Sequence, residues 1–357
     1  MPKNPDSARS LRRTFVKTVA ALAPALGTAS PSEERSPSGR ITEVAGLRVG
    51  HFTDKRRPTG CTVILFDNGA VAGVDVRGSA PGTRETDLLQ PTNTVQKVNA
   101  ILLSGGSAFG LSAAGGVMRF LAEHGQGFPA GHTVVPIVPA AILFDLELGD
   151  PKIFPDEQSG YVACQAASNG AVEEGCVGAG AGATVGKLFG SGSAMKSGLG
   201  TASITIRGTD ISVGALVAVN AVGDVRDHRT GIILAGARDR NGGFLDSMSQ
   251  VIGGASVKAR VGTNTTVGIV ATNASLTKTE ATKIAQMAHD GLARTINPVH
   301  TAYDGDTLFA AGTGLAKDRA DVSTLGAVGA EVMAEAVNRA VLTATTIPGY
   351  PARRDLK

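Results

Sequence analysis

Short runs of β-branched and aliphatic residues, closed off by Gly, Asp or Asn, recur along the chain at residues 62–66, 71–76, 100–103, 134–143, 203–206, 211–220, 232–235, 265–271 and 307–311. Runs of this length and composition predict strands. The apolar spacing switches to a helical period in four places. Residues 108–124 repeat Phe109, Met118 and Leu121, and residues 156–168 carry a weaker pattern. Thr277-Lys278-Thr279-Glu280 is a capping box, and the helix it opens places Ile284, Ala288 and Leu292 on one face. Val322–Leu342 is the longest, with Leu325, Val328, Val332 and Ala336 as its buried stripe. Strands in runs, with helices gathered after them, predict an α+β layered sandwich over a doubly wound sheet. No repeat of 20–50 residues and no Pro/Gly-rich linker divides residues 41–357, which read as a single domain.

Composition adds how such layers pack. The 357 residues are 42% hydrophobic but only 4% aromatic, with 47 Gly and no Trp, so the contacts must be made by small side chains. The net charge of +3 is local: Lys3, Arg9, Arg12, Arg13 and Lys17 face only Asp6 in residues 1–29, and the remainder is slightly acidic. A nucleic-acid partner is therefore not expected. Arg12-Arg13-Thr14-Phe15-Val16-Lys17, the apolar run 19–26 and the small residues Gly27-Thr28-Ala29 have the order of an export signal of twin-arginine type. Residues 1–29 are thus expected to direct the protein to the periplasm or outside the cell, with 30–40 as a flexible leader. The apolar run is too short to span a bilayer, so no membrane partner is expected after signal removal. Cys61, Cys164 and Cys176 form no Cys-x-x-Cys pair and read as free thiols.

Several motifs fail on their surroundings. Gly178-Ala179-Gly180-Ala181-Gly182-Ala183 follows a poor strand and has no acidic residue about 20 positions later for a ribose. Gly186-Lys187-Leu188 lacks the Ser or Thr of a phosphate-binding loop. Ser-x-x-Lys occurs at Ser193–Lys196 and Ser275–Lys278 without its companion triplets. The six histidines (51, 124, 132, 228, 289, 300) show no ligand spacing and read as surface or structural residues. No cofactor and no metal is expected.

What survives is a set of long segments. A polar turn enters an apolar strand at Thr263-Asn264-Thr265-Thr266-Val267-Gly268-Ile269-Val270, and His300-Thr301-Ala302-Tyr303-Asp304-Gly305-Asp306-Thr307 follows about forty residues on. With Ala215-Leu216-Val217-Ala218-Val219-Asn220-Ala221-Val222-Gly223 and Pro81-Gly82-Thr83-Arg84-Glu85-Thr86-Asp87, they resemble the DmpA-like L-aminopeptidase/D-esterase family of self-processing peptidases. The resemblance runs from about Ile41 to about Thr345. Ala179-Gly180-Ala181-Gly182 leading to Gly186-Lys187, together with Asp-Gly-Asp at 304–306, is most similar to the branch of 6-aminohexanoate-oligomer hydrolases.

The resemblance implies an α/β/β/α sandwich of the DmpA and ornithine-acetyltransferase type, with the features of an N-terminal-nucleophile hydrolase. It implies self-cleavage between Asn264 and Thr265 into an α chain and a β chain, 265–357, and homo-oligomers of αβ units. Thr265 becomes the nucleophile, with its freed α-amine as base. Lys187 is the cation that disfavours protonation of that amine, and Asn220 is the oxyanion donor. Asp304 and Asp306 are expected to hydrogen-bond the Thr265 ammonium or hydroxyl. Phe144 stands where several relatives have a pocket tyrosine, which bears on substrate binding. Arg77, Arg84, Glu85 and Asp87 read as an ion network near the pocket or a subunit contact.

The implied activity is hydrolysis of small peptides, amino-acid amides or esters. Internal cleavage of ω-amino-acid oligomers by the same mechanism is the alternative within the family. Acyl transfer of the ornithine-acetyltransferase kind, and a non-enzymatic periplasmic binding protein, are the alternatives outside it.

Overall fold

The two runs at 62–66 and 71–76 are halves of one long strand, and that strand joins the two layers of the sheet. The computed structural model describes residues 39–356, so the expected export signal and nearly all of the leader lie outside the described residues. Nine strands make the main sheet: β1 (Leu47–Thr53), β2 (Gly60–Val76), β3 (Thr83–Arg84), β4 (Val98–Ser104), β5 (Ala140–Ile142), β6 (Leu199–Thr205), β7 (Ser212–Asn220), β8 (Thr265–Thr272) and β9 (Thr307–Gly312). Their order is β6-β7-β8-β9-β2-β4-β5-β3, with β1 also on β2. The first half of β2 pairs antiparallel with β1 and β4. After a register irregularity between Leu65 and Ala70, the second half pairs antiparallel with β9. A strand that bends at such an irregularity can serve two layers.

Side-chain alternation then sorts the residues into three cores. Ile64 and Phe66 of β2 and Ile101 and Leu103 of β4 face Leu216, Ala218, Val267, Ile269 and Phe309 between the layers. Cys61, Val63, Leu65, Ala100 and Leu102 point the other way, onto helices α1 (Ala113–Glu123) and α2 (Glu157–Gln165). Ala215, Val217, Val219 and Val270 face helices α3 (Lys278–Thr295) and α4 (Val322–Leu342). The architecture is the α/β/β/α sandwich. Its glycines allow the close approach: a Cβ on Gly200 of β6 would lie 2.0 Å from the Ala336 carbonyl oxygen of α4.

The capping box of α3 forms as its sequence predicts, between Thr277 and Glu280. The expected strand 134–143 is divided by Pro136 and Pro139, which cannot donate to a ladder. Thr133–Val135 pairs in an exposed hairpin with Phe128–Ala130, while β5 joins the sheet. The expected helix 108–124 opens as a 3-10 turn, Ser107–Ser112, ahead of α1. No helix among the described residues is long and apolar enough to cross a membrane.

Candidate active site

Three strand ends meet at one point of the inner layer. Asn220, the last residue of β7, lies opposite Thr265, the first of β8, in antiparallel register. Strands β8 and β9 run parallel, and a bridge between Asn264 and Asp304 carries their pairing back beyond both strands. On its other side residues 304–306 are held by the end of β2: the amides of Arg77 and Gly78 donate to the Asp306 carbonyl at 3.0 and 3.2 Å, and Ala80 donates to the Asp304 carbonyl at 2.9 Å. Segments about forty or more residues apart in sequence are thus brought together by sheet register.

Thr265 is 2% exposed. Its hydroxyl donates to the carbonyl oxygen of Asn264 at 2.5 Å, across the bond expected to break. The same carbonyl accepts the Gly305 amide at 2.9 Å. Gly305 has no room for a side chain: a Cβ there would lie 2.9 Å from the Thr265 hydroxyl and 2.4 Å from the Ala80 carbonyl oxygen.

Lys187 reaches the site from the turn after a short strand, Thr184–Val185, with its backbone amide on the Val222 carbonyl at 2.9 Å. Its ammonium is buried and donates to Asn220 Oδ1 at 2.7 Å, the Asn220 carbonyl at 3.1 Å and the Thr263 carbonyl at 3.2 Å. Burial lowers its pKa to about 7, against the pull of the carboxylates of Asp304, Glu147 and Asp145. Asn220 Nδ2 donates to the Phe144 carbonyl at 2.9 Å and to the Thr263 carbonyl at 3.3 Å. In the uninterrupted chain, one backbone oxygen, that of Thr263, therefore accepts from both Lys187 and the expected oxyanion donor.

The carboxylates of Asp304 and Asp306 depart from expectation. Asp306 Oδ1 accepts the Thr266 amide at 2.7 Å, and its Oδ2 accepts the His300 amide at 3.2 Å and pairs with His300 Nδ1 at 2.8 Å. Asp304 accepts the Val222 amide at 3.3 Å, the Thr301 amide at 3.1 Å and the Thr301 hydroxyl at 2.5 Å. Both are spent on backbone and neighbouring groups and not on the Thr265 hydroxyl, and the Thr265 nitrogen, a peptide nitrogen here, offers them no ammonium. Burial, reinforced by the like charge of Asp306, raises the Asp304 pKa to about 6.

Phe144 contributes its carbonyl to Asn220 and lines a small cavity with Thr263, Lys187 and Tyr350. The segment it opens is anchored by the buried pair Arg57–Asp145 at 2.6 Å, with the Thr59 hydroxyl and Gly106 amide also on Asp145. A neighbouring cavity of about 270 Å³ is lined by Glu147, Lys187, Ser191, Lys258, Arg260 and Thr263. Across it Arg260 meets Glu147 at 3.5 Å, while Ser191 holds the other oxygen of Glu147 at 2.7 Å. The residues just ahead of Thr265 form part of this wall.

Sequence reasoning missed His300, Gly305 and the Arg57–Asp145 pair. His300 was legible only as part of the segment ending in Asp306, since a histidine outside ligand spacing carries no signal of its own. The expected ion network does not form: Arg77 pairs with Asp75, Arg84 donates to the Met118 sulfur, and Glu85 accepts the Val138 amide. No cluster of side chains suited to a metal occurs among the described residues.

Comparison with known proteins agrees with this arrangement. Residues 39–354 match peptidase family S58. An uncharacterised aminopeptidase of Mycobacterium leprae is 43% identical over 347 residues, covering 88% of this chain and 93% of the relative. A 6-aminohexanoate-oligomer endohydrolase of Kocuria sp. (strain KY2) is 31% identical, covering 84% and 86%. The solved structure of the L-aminopeptidase D-Ala-esterase/amidase of Ochrobactrum anthropi, a variant of the Ntn-hydrolase fold, superposes with a TM-score of 0.64 at 20% identity, covering 89% of this chain and 90% of that one. With the sandwich, the strand ends that meet at Thr265 and a family match over nearly the whole described chain in agreement, the protein belongs to peptidase family S58 and is a hydrolase of peptide or amide bonds.

Proposed function

We propose that the chain cuts itself between Asn264 and Thr265 and then works as an N-terminal-threonine aminopeptidase on small peptides, amino-acid amides or esters. The observation that carries this reading is the Thr265 hydroxyl lying on the Asn264 carbonyl while the Gly305 amide holds the same oxygen. In the first step Thr265 Oγ1 bonds to the Asn264 carbonyl carbon, the carbon–nitrogen bond breaks, and the hydroxyl proton passes to the departing nitrogen. Charge on the carbonyl oxygen is met by the Gly305 N–H. Water then hydrolyses the Asn264–Thr265 ester, leaving a carboxylate on Asn264 and a free α-amine on Thr265.

Scission also changes the electrostatics. The Thr263 carbonyl is released from Lys187 and Asn220, so the Asn220 amide is free to meet the oxyanion of a substrate. The α-amine takes the Thr265 hydroxyl proton and delivers it to the leaving amine of the substrate. Lys187, when charged, disfavours a proton on that amine. Asp304 and Asp306 are then the carboxylates to receive the new ammonium, the one bridged to Asn264 and the other already on the Thr266 amide. Departure of Arg260 leaves Glu147 as a carboxylate on the cavity wall, suited to a substrate ammonium.

The higher identity with a relative named as an aminopeptidase supports this substrate class first. A second reading, internal cleavage of ω-amino-acid oligomers, is favoured by the 31% identity with an endohydrolase of that kind. An aminoacyl p-nitroanilide against a 6-aminohexanoate oligomer separates the two. By the same reading residues 41–357 are one self-cleaved domain that acts as a homo-oligomer of αβ units, delivered to the periplasm or outside by the twin-arginine-type signal at 1–29. The deciding experiment is intact mass and N-terminal sequencing of the wild type beside Thr265→Ala. Two chains, one starting at Thr265 and absent in the variant, are expected; a single uncut wild-type chain overturns the mechanism.

A further inference from the structure

We propose that His300 is a positioning residue for the nucleophile strand, acting through Asp306; this rests on the reading of Thr265 as the nucleophile. Two donors of His300, its backbone amide and ring Nδ1, face the same Asp306 oxygen at 3.2 and 2.8 Å. The other oxygen of Asp306 holds the Thr266 amide at 2.7 Å, one residue after the nucleophile. The result is a short rigid chain from His300 through a buried carboxylate to the start of β8.

The backbone is adapted to this task. His300 has φ +55°, in the left-handed region that L residues seldom occupy, and that turn lets amide and ring address one oxygen. The ring packs edge-on against His289, with centroids 4.7 Å apart. His289 is itself fully buried, with Nε2 on the Asp75 carbonyl at 3.1 Å. His300 Nε2 has no hydrogen-bond partner among the described residues, so Asp306 is the one side-chain-to-side-chain polar tie that orients the ring. Without the Nδ1 donor, Asp306 Oδ2 keeps only the longer backbone bond of His300, so the carboxylate turns more easily off the Thr266 amide and the Thr265 hydroxyl loses its alignment with the carbonyl it attacks.

The test compares His300→Asn, His300→Asp and His300→Gly. All three residue types tolerate a left-handed backbone. Asn keeps a donor near the Nδ1 position, Asp replaces it with a repelling charge, and Gly removes it. The Asn and Asp variants are isosteric, so they decide the matter even if the Gly variant does not fold. For Asn, self-cleavage and kcat stay within about threefold of wild type; for Asp and Gly, both fall by about tenfold or more with KM little changed. Asn falling together with Asp, or KM rising while kcat holds, overturns the positioning role. Thr265→Ala is run alongside. Continued scission in that variant removes the nucleophile and the positioning role with it, whereas a failure confined to the His300 series leaves the nucleophile standing.

Discussion

Replacing Lys187 by methionine, in a Thr265→Ala background that stays uncut, is expected to make the protein more stable at neutral and acidic pH. Lys187 is 8% exposed, and burial takes its pKa from 10.5 to about 7. At 1.36 kcal/mol for each tenfold change in acidity, that depression corresponds to about 5 kcal/mol. The folded pKa lies below the unfolded one, so the unfolded chain takes up a proton between pH 10.5 and 7 that the folded chain does not. Stability is therefore present above the unfolded value and is lost as pH falls toward 7. Methionine fills similar space without the charge.

Against this gain stand the acceptors that lose the ammonium. Asn220 Oδ1 keeps the Thr184 amide at 3.1 Å, and the Thr263 carbonyl keeps Asn220 Nδ2 at 3.3 Å. The Asn220 carbonyl bears most of the loss, about 1–3 kcal/mol for a stranded buried group. The variant should then exceed its parent by about 2–4 kcal/mol at pH 6, and the difference should shrink by roughly 1.4 kcal/mol per pH unit above 7. Urea unfolding of both proteins at pH 6, 7, 8 and 9 measures the difference, in which titrating groups other than the carboxylates facing Lys187, those of Asp304, Glu147 and Asp145, cancel. A variant less stable than its parent at pH 6, or a gap that does not change with pH, would refute the reasoning.

Three other outcomes follow from the same geometry. Asn220→Ala should lower kcat by about 10²–10³ in the mature enzyme while self-cleavage persists, because the scissile carbonyl is held by Gly305 and not by Asn220; parallel kinetics and time-resolved mass analysis check both halves. Gly305→Ala should block scission, since the new Cβ meets the Thr265 hydroxyl and the Ala80 carbonyl, and an accumulating uncut chain with a cooperative melt is the expected result. Asp145→Ala strands the guanidinium of Arg57 in the interior and should cost about 3–5 kcal/mol in denaturant unfolding.

The order of elements was legible because period-2 and period-3.6 patterns are local. The runs at 211–220, 265–271 and 307–311 became β7, β8 and β9, and Thr277-Lys278-Thr279-Glu280 capped α3 where it stands. The expected site residues Lys187, Asn220, Thr265, Asp304 and Asp306 came from the long segments that carry them, and the fold gathers them at one place. Their hydrogen bonds were not legible. Asp-Gly-Asp is equally compatible with a carboxylate on the nucleophile and with carboxylates on Thr266, Thr301, His300 and Val222, because spacing along a strand does not say which donors lie across it. Likewise nothing local separates His300 from the other five histidines.

The sequence by itself determined most of the strands and helices of the sandwich, though not β1 or the division of the run 134–143, and that small residues must make the contacts between layers. Only the tertiary structure decided that residues 62–66 and 71–76 are one strand serving two layers, since that depends on partners supplied by β1, β4 and β9. It alone decided that Lys187 is buried among three oxygens, with a pKa near neutrality, while Gly305 presents its amide to the Asn264 carbonyl. Local pattern follows from the backbone and its nearest side chains. Burial, register and electrostatics depend on atoms tens to hundreds of residues away, whose approach is fixed only when the whole sandwich closes.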